Sequence, residues 1–356
     1  MENYILNIDY LQLFGIMKYR DFSIDVSVEL QPFGSRHFSR IEKIMLNGEY
    51  IAVLESEARS VILKEKSAML KIENHVLYEK NCWLKIDAVI RGLGFKVMNI
   101  SRLDIALDLI NFKNKLSPKD LINGFVKEKY LRNGRGKFML IGSQKDVRDV
   151  EYLRFGSRKS PINTYLYNKS LEMREVKLKQ HIIESWKNIN ADETIDVWRL
   201  EHSLKSEALT HLDETSGEII KIDYEKIKDN KFIKALFFSL TKKYFQFKMN
   251  DNTKNKTRMK TLQLFDMENA YFQRINFTTK KDATKADKIL MKRLHQFTDM
   301  NINAGNKERH YAESLLDFMK NDPYLERYYH QKVHHWNEES GEKINKSERN
   351  RKNSIV

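Results

Sequence analysis

The chain is short of the residues that staple structure together or interrupt it. It has one cysteine, Cys82, in 356 residues, which excludes an intramolecular disulfide and any cysteine zinc cluster. A lone thiol fits a reducing interior. With only 4 prolines and 13 glycines, there is little material for long linkers. No stretch approaches the roughly 18 apolar residues that a membrane-crossing helix needs. The opening "MENYILNIDYLQLFG" has no basic segment ahead of an apolar core, so no secretory leader is expected. "NGRGKF" lacks the spacing of a phosphate-binding P-loop.

Charge and apolar content are plentiful. A hydrophobic fraction of 41% and an aromatic fraction of 11% are enough for a substantial core, in one large domain with an appendage or in two. Lys and Arg number 63 against 49 acids, a formal charge of +14. That balance favours a polyanionic partner, nucleic acid or an anionic membrane surface. With no membrane segment, the expectation is a cytoplasmic protein that meets nucleic acid.

The first half reads as α+β. "YILNIDYLQLFGI" and "RIEKIMLNGEYIAVLES" have the β-branched and aromatic content of strands. "EKNCWLKIDAVIRGLGF" puts Trp83, Ile86, Val89 and Ile90 on one helical face, with Gly92 as its stop. "SPKDLINGFVKE" reads as a helix capped by Ser117 with Pro118 in its first turn. "FKVMNISRLDIALDLINF", "GKFMLIGS", "VEYLRFGS", "NTYLYNKS" and "TIDVWRLEHSL" read as strands. Helical periodicity takes over near residue 215. In "DYEKIKDNKFIKALFFSLTKKYFQF" it aligns Phe232, Leu236, Leu240 and Tyr244, and two more helices are expected in 280–299 and 307–322. The expected division is a catalytic domain over 1–210, a helical C-terminal region over 211–338 that binds DNA or assists, and a basic disordered tail over 339–356.

Three segments carry chemistry. In "SRLDIALDL", strand alternation puts Asp104, Ala106 and Asp108 on one face and Leu103, Ile105 and Leu107 on the other. In "DVWRLEHSLK", Glu201 shares a face with Arg199 and Ser203. Carboxylates gathered this way suit Mg²⁺ or Mn²⁺; pairing with nearby Lys or Arg is the ordinary alternative, and the pattern leaves both open. In "SPINTYLYNKS", Tyr165 and Tyr167 share a strand face with Lys169 two positions on.

In this order and spacing, the segments resemble the Rep_trans family of rolling-circle replication initiators from plasmids of Gram-positive bacteria; relaxases of integrative conjugative elements share the pattern. Arg102, Leu103, Asp104, Ile105, Ala106 and Asp108 match the first motif, and Phe155, Gly156, Arg158 and Ser160 the second. Tyr167, Asn168 and Lys169 come next in the chain, then Trp198, Arg199, Leu200 and Glu201. The likeness spans roughly residues 7–205.

The resemblance implies an antiparallel-sheet catalytic core and a metal-dependent DNA strand transferase that nicks and rejoins. Tyr167 is then the nucleophile, leaving a 5′-phosphotyrosine and a free 3′-hydroxyl. Asp104 and Glu201 are the implied ligands of a divalent metal, Mg²⁺ or Mn²⁺, with Asp108 as a weaker third. Lys169 and Arg158 would hold the phosphate. The implied partners are origin DNA, single-stranded or cruciform, a host or element helicase and polymerase, and a second copy in a homodimer. A conjugative relaxase, or a DNA-binding protein without nicking activity, would be the alternative. The chain departs from the family pattern at Tyr165, where Arg is frequent, and at Ser203, where a second acid is frequent. Tyr165 reads as a stacking or packing surface, with a second nucleophile as the other reading. Arg199, the loop residues Lys254, Lys256, Arg258 and Lys260, and the stretch 280–293 are candidate DNA contacts through phosphates or ordinary solvated faces. His330 and His334 lie at helical spacing beside His335, without the glutamate of a metalloprotease motif, and read as a solvent-facing helix end.

Overall fold

The computed structural model describes residues 4–18, 25–59, 63, 66–132, 137–142, 150–157, 159–191, 194–212, 219–253 and 255–265. Arg158, Lys254, the stretch 280–293, the helices expected in 280–299 and 307–322, the three histidines and the tail 339–356 lie outside them. The chain divides into two compact units, residues 1–56 with 66–279 and residues 57–65 with 280–356. Apart from residues 57–59 and 63, every described residue belongs to the first unit.

The strands are β1 (Tyr4–Met17), β2 (Val26–Leu30), β3 (Phe38–Leu46), β4 (Glu49–Ala58), β5 (Ser67–Ile72), β6 (Phe95–Leu109), β7 (Tyr130–Arg132) and β8 (Phe138–Gly142). They continue with β9 (Val150–Phe155), β10 (Ile162–Asn168), β11 (Trp198–Lys205), β12 (Thr210–Leu212), β13 (Ile219–Lys221) and β14 (Phe247–Met249). The helices are α1 (Asn74–Leu77), α2 (Cys82–Gly92), α3 (Pro118–Val126), α4 (Lys169–Glu175), α5 (Gln180–Trp186) and α6 (Asn230–Tyr244). The expected α+β class with a large antiparallel sheet is what the structure has. Ten strands form one sheet in the order β2-β3-β4-β5-β1-β6-β11-β10-β9-β8.

Local chemistry accounts for the element ends. Asn47 and Gly48, both at positive φ, make the two-residue turn between β3 and β4. Ser117 accepts the Asp120 N–H at 3.0 Å and caps α3. Helix α2 includes Gly92, and the left-handed residue after it is Gly94 rather than Gly92, at φ 62°. Strand β10 stops at Asn168 because its side-chain oxygen accepts the Leu171 N–H at 2.9 Å and starts α4. Lys169 is therefore the first residue of a helix, which corrects the expectation that it continues the strand face of Tyr167.

Leu103, Ile105, Leu107, Leu153, Leu166, Leu200 and Leu204 line one sheet face and are fully buried. Helices α2, α3 and α6 contribute Ile86, Val89, Leu121, Leu236, Phe237 and Leu240 to the same core. One polar group crosses it. Thr241 donates its hydroxyl hydrogen to the Phe237 carbonyl at 2.9 Å, so His202 Nε2–H donates to Thr241 and Thr164 donates to Nδ1, each at 2.9 Å. Burial pushes His202 down to about 3, so this neutral imidazole ties β10 and β11 to α6.

The opposite face is half covered. Met173, Ile182, Trp186, Ile189 and Val197 form a second, smaller core over one end of it. Among the described residues, no helix is long and apolar enough to cross a membrane.

Candidate active site

Register brings the three sequence segments together. Strand β11 pairs with β6 so that Arg199 faces Asp108, Glu201 faces Ala106, and Ser203 faces Asp104. On its other side β10 sets Tyr167 opposite Arg199 and Tyr165 opposite Glu201. All of these residues share the polar face, since directly opposed antiparallel residues point the same way. Strand β9 adds Tyr152 opposite Tyr167 and Arg154 opposite Tyr165.

At the covered end the polar groups saturate one another. Arg199, fully buried, donates Nε and Nη2 to the two oxygens of Asp108 at 2.6 and 2.8 Å. Its Nη1 donates to Asp9 Oδ1 at 2.6 Å and its Nη2 also to the Tyr78 hydroxyl oxygen at 2.9 Å. Tyr78 in turn donates to Asp9 Oδ1 at 2.8 Å, and Trp186 Nε1–H donates to Asp108 at 2.8 Å. Burial opposes the charge of Asp9, but Arg199, Lys169 and hydrogen bonds from Tyr78 and Asn74 hold it well below the usual carboxylate range. Burial opposes Arg199 too, and Asp108 and Asp9 more than offset it. Arg199 is thus spent inside the fold, and both Asp108 oxygens are engaged by Arg199 and Trp186.

Asp9 was not among the expected site residues. The pairing of β1 with β6 shifts between Ile8 and Tyr10, so Asp9 is the extra residue of a bulge. The bulge lets both Asp9 and Tyr10 serve the polar face, which strict alternation forbids.

At the open end the charges are not balanced. Arg102 donates Nε and Nη2 to Asp104 at 3.0 and 2.5 Å, and stacks over the Tyr10 ring at 4.4 Å. Even so, burial outweighs this pairing, and with Asp9 as a further cause the Asp104 pKa is raised. Burial, then Asp104 and Asp9, push Glu201 up to about 8. Tyr167 donates its hydroxyl hydrogen to Glu201 Oε2 at 3.0 Å, and burial together with Glu201 raises its pKa well above the ordinary phenol value. Lys169, almost fully buried, bonds Glu172 and lies 5.6 Å from the centre of the Tyr167 ring. Burial and Arg199 lower its pKa. A cavity of about 370 Å³ opens here, lined by Tyr152, Tyr165, Tyr167, Leu171, Glu172 and Glu201 among others.

The site has the chemistry for a hard cation. Asp104 and Glu201 offer carboxylate oxygens from neighbouring strands, and burial, with Asp9 adding to it at each, raises the pKa of both, a cost that a bound cation would relieve. Among the described residues, the trio whose ligand atoms all lie within 4.8 Å of one another is a different one, Glu49, His75 and Glu79. The Lys85 ammonium bonds both of its acids, Glu49 at 2.6 Å and Glu79 at 2.5 Å, and so already supplies the cation there. Lys256, Arg258 and Lys260 are exposed on the loop after β14 and line no part of the cavity.

No family model and no curated protein matches the chain. Among solved structures it is similar to one described as a rolling circle replication initiator protein from Geobacillus stearothermophilus. The identity is 13%, the match covers 73% of this chain and 93% of that one, and the TM-score is 0.42. Residue roles rest on the geometry of this chain.

Proposed function

We propose that the protein is a DNA strand transferase of the rolling-circle initiator kind, akin to the Rep_trans family, in which Tyr167 attacks a phosphodiester of a single strand. The observation that carries this reading is the hydrogen bond from the Tyr167 hydroxyl to Glu201 at 3.0 Å, made on the wall of an open cavity. The acceptor is a buried acid whose pKa, pushed up to about 8 by burial, Asp104 and Asp9, lies in the range that suits a general base.

In the proposed step, Tyr167 Oη forms a bond to phosphorus as its proton passes to Glu201. The bond from phosphorus to the 3′-oxygen breaks, that oxygen takes a proton from water, and the 5′ side stays on the tyrosine. The phosphodiester energy is kept, so rejoining needs no nucleotide triphosphate. Lys169 stands beside the ring, where an ammonium offsets charge on the phosphate. Asp104 and Glu201 would hold a divalent ion, which when bound supplies positive charge that favours the phenolate and the transferring phosphate. Asp108 and Arg199 have no part in that step; they fix the positions of β6 and β11. The released 3′-hydroxyl would serve a polymerase as primer.

The test is direct. The protein is incubated with Mn²⁺ and a pool of randomised single-stranded oligonucleotides, then run under denaturing conditions. A covalent protein–DNA species is expected. Its absence both with Mn²⁺ and in a parallel incubation with Mg²⁺ would contradict the proposed function.

A further inference from the structure

We propose that Arg154 and the neighbouring rings of Tyr152 and Tyr165 form a subsite for one unpaired nucleotide next to the scissile phosphate. The guanidinium takes that nucleotide's phosphate and the rings take its base. This rests on reading the site as one that acts on a single DNA strand, and it names the residues that hold the strand beside the reacting bond.

The first support is placement. Arg154 is registered opposite Tyr165 and Tyr152 opposite Tyr167, while Leu153 and Phe155 point into the core. Arg154 therefore projects on the nucleophile's face. The turn after β9 keeps it there. Gly156 sits at φ +100°, and a Cβ on it would come within 2.8 Å of Asn163 Oδ1. Ser160 Oγ accepts the Ser157 N–H at 3.0 Å to close the turn.

The second is an unanswered charge. Among the described residues no carboxylate pairs with Arg154. Its Nη2 meets the Met139 sulfur at 3.6 Å, its guanidinium bonds the Tyr152 hydroxyl, and its Nε is buried without a hydrogen-bond partner. A guanidinium carries five donors in a fork that suits a planar or tetrahedral oxyanion, and a buried donor left unpaired is unfavourable until an acceptor arrives. Arg102 and Arg199, on the same face, are each already bidentate to a carboxylate.

The third is the set of rings. The Tyr152 ring lies 6.0 Å from Tyr165 and 6.2 Å from Tyr167, tilted by 49° and 38°. All three line the cavity. Tilted rings at this spacing leave faces free, and every base can stack on such a face whatever its identity.

The experiment uses the full chain carrying Tyr167→Phe, so that binding is read without reaction. It is titrated with a fluorescein-labelled 12-nucleotide oligo(dT), single-stranded or paired with oligo(dA), over a range of salt. Arg154→Ala is expected to weaken single-strand binding roughly tenfold and to reduce the slope of log affinity against log salt by about 0.7, one phosphate contact on a single strand. Arg154→Lys should restore the slope. Tyr165→Leu and Tyr152→Leu should each weaken single-strand binding by about 5- to 100-fold, Phe at either position should not, and duplex binding should be unmoved by the ring changes. Variants that bind the single strand as the parent does, with the same slope, would overturn the subsite; an adduct at Tyr167 in the otherwise unsubstituted chain would still uphold the proposed function. A loss shared equally by the duplex, or tracking a fall in melting temperature, marks these side chains as structural and also overturns it. No adduct and no single-strand binding by the parent would remove both readings.

Discussion

Two clusters of the same residue types lie side by side on one sheet face and behave in opposite ways. Around Arg199, two acids, a tyrosine and a tryptophan satisfy each other in a buried set, roofed by the small core of α4 and α5. Around Tyr167, burial raises the pKa values of two acids, Asp104 even with Arg102 bonded to it and Glu201 to about 8. Both contain carboxylates on adjacent strands, so residue type and alternation do not separate them. Charge balance and cover do. A saturated cluster holds strands in register, whereas an unsaturated one beside a cavity has chemistry in reserve.

Substitutions should break this contrast in opposite directions. Tyr167→Phe is expected to lower adduct formation at least about 10³-fold, equal to about 4 kcal/mol of barrier, with melting temperature unchanged. Tyr165→Phe should keep the adduct. Gel quantification of the covalent species over time checks both. In the saturated cluster, Arg199→Ala leaves Asp108 and Asp9 buried without their partner, and should cost about 3–5 kcal/mol of folding stability by urea titration. Asp104→Asn should instead lose the adduct with little loss of stability.

The unsaturated cluster also predicts a pH signature. The folded-state pKa of Glu201 is about 8, against about 4.3 when unperturbed. A raised carboxyl pKa contributes stability that is fully present below the unfolded value and is lost as pH rises through about 8. Thermal melts should therefore show Glu201→Gln gaining on the parent from pH 5 to pH 9. Mn²⁺ should raise the parent's melting temperature most at the alkaline end, and EDTA should reverse it. A difference independent of pH would contradict the assigned charge balance. The smallest effect is expected for Trp186→Phe, which removes one hydrogen bond to Asp108 while Arg199 still holds both oxygens, at about 1 kcal/mol by the same urea titration.

The legible part of the molecule is the part that obeys simple periodicity. Alternation in β6 and β11 put Asp104, Asp108 and Glu201 on polar faces, because Leu103, Ile105, Leu200 and Leu204 mark the apolar side unambiguously. Strand β9 had the same signal, with Tyr152 and Arg154 alternating against Leu153 and Phe155, but nothing in a short run says which partner faces it. Asp9 was hidden by a bulge that cancels alternation at that one residue. Lys169 was misplaced because the cap at Asn168 turns strand into helix within one residue. Tyr78 and Trp186 reach the Arg199 cluster from elements 121 and 13 positions away in sequence, a proximity only the tertiary fold supplies. Which acids are saturated depends on those distant donors, so the split between Asp108 and Glu201 could not be read from the sequence.

The most direct test maps the covalent link. Trypsin is expected to release residues 160–169 as SPINTYLYNK, which holds both Tyr165 and Tyr167, so fragment-ion mass spectrometry of the nuclease-trimmed adduct must decide between them. The account predicts a nucleotide 5′-phosphate on Tyr167 alone. A phosphate on Tyr165 or Tyr152, or a digest with no modified peptide, would contradict it.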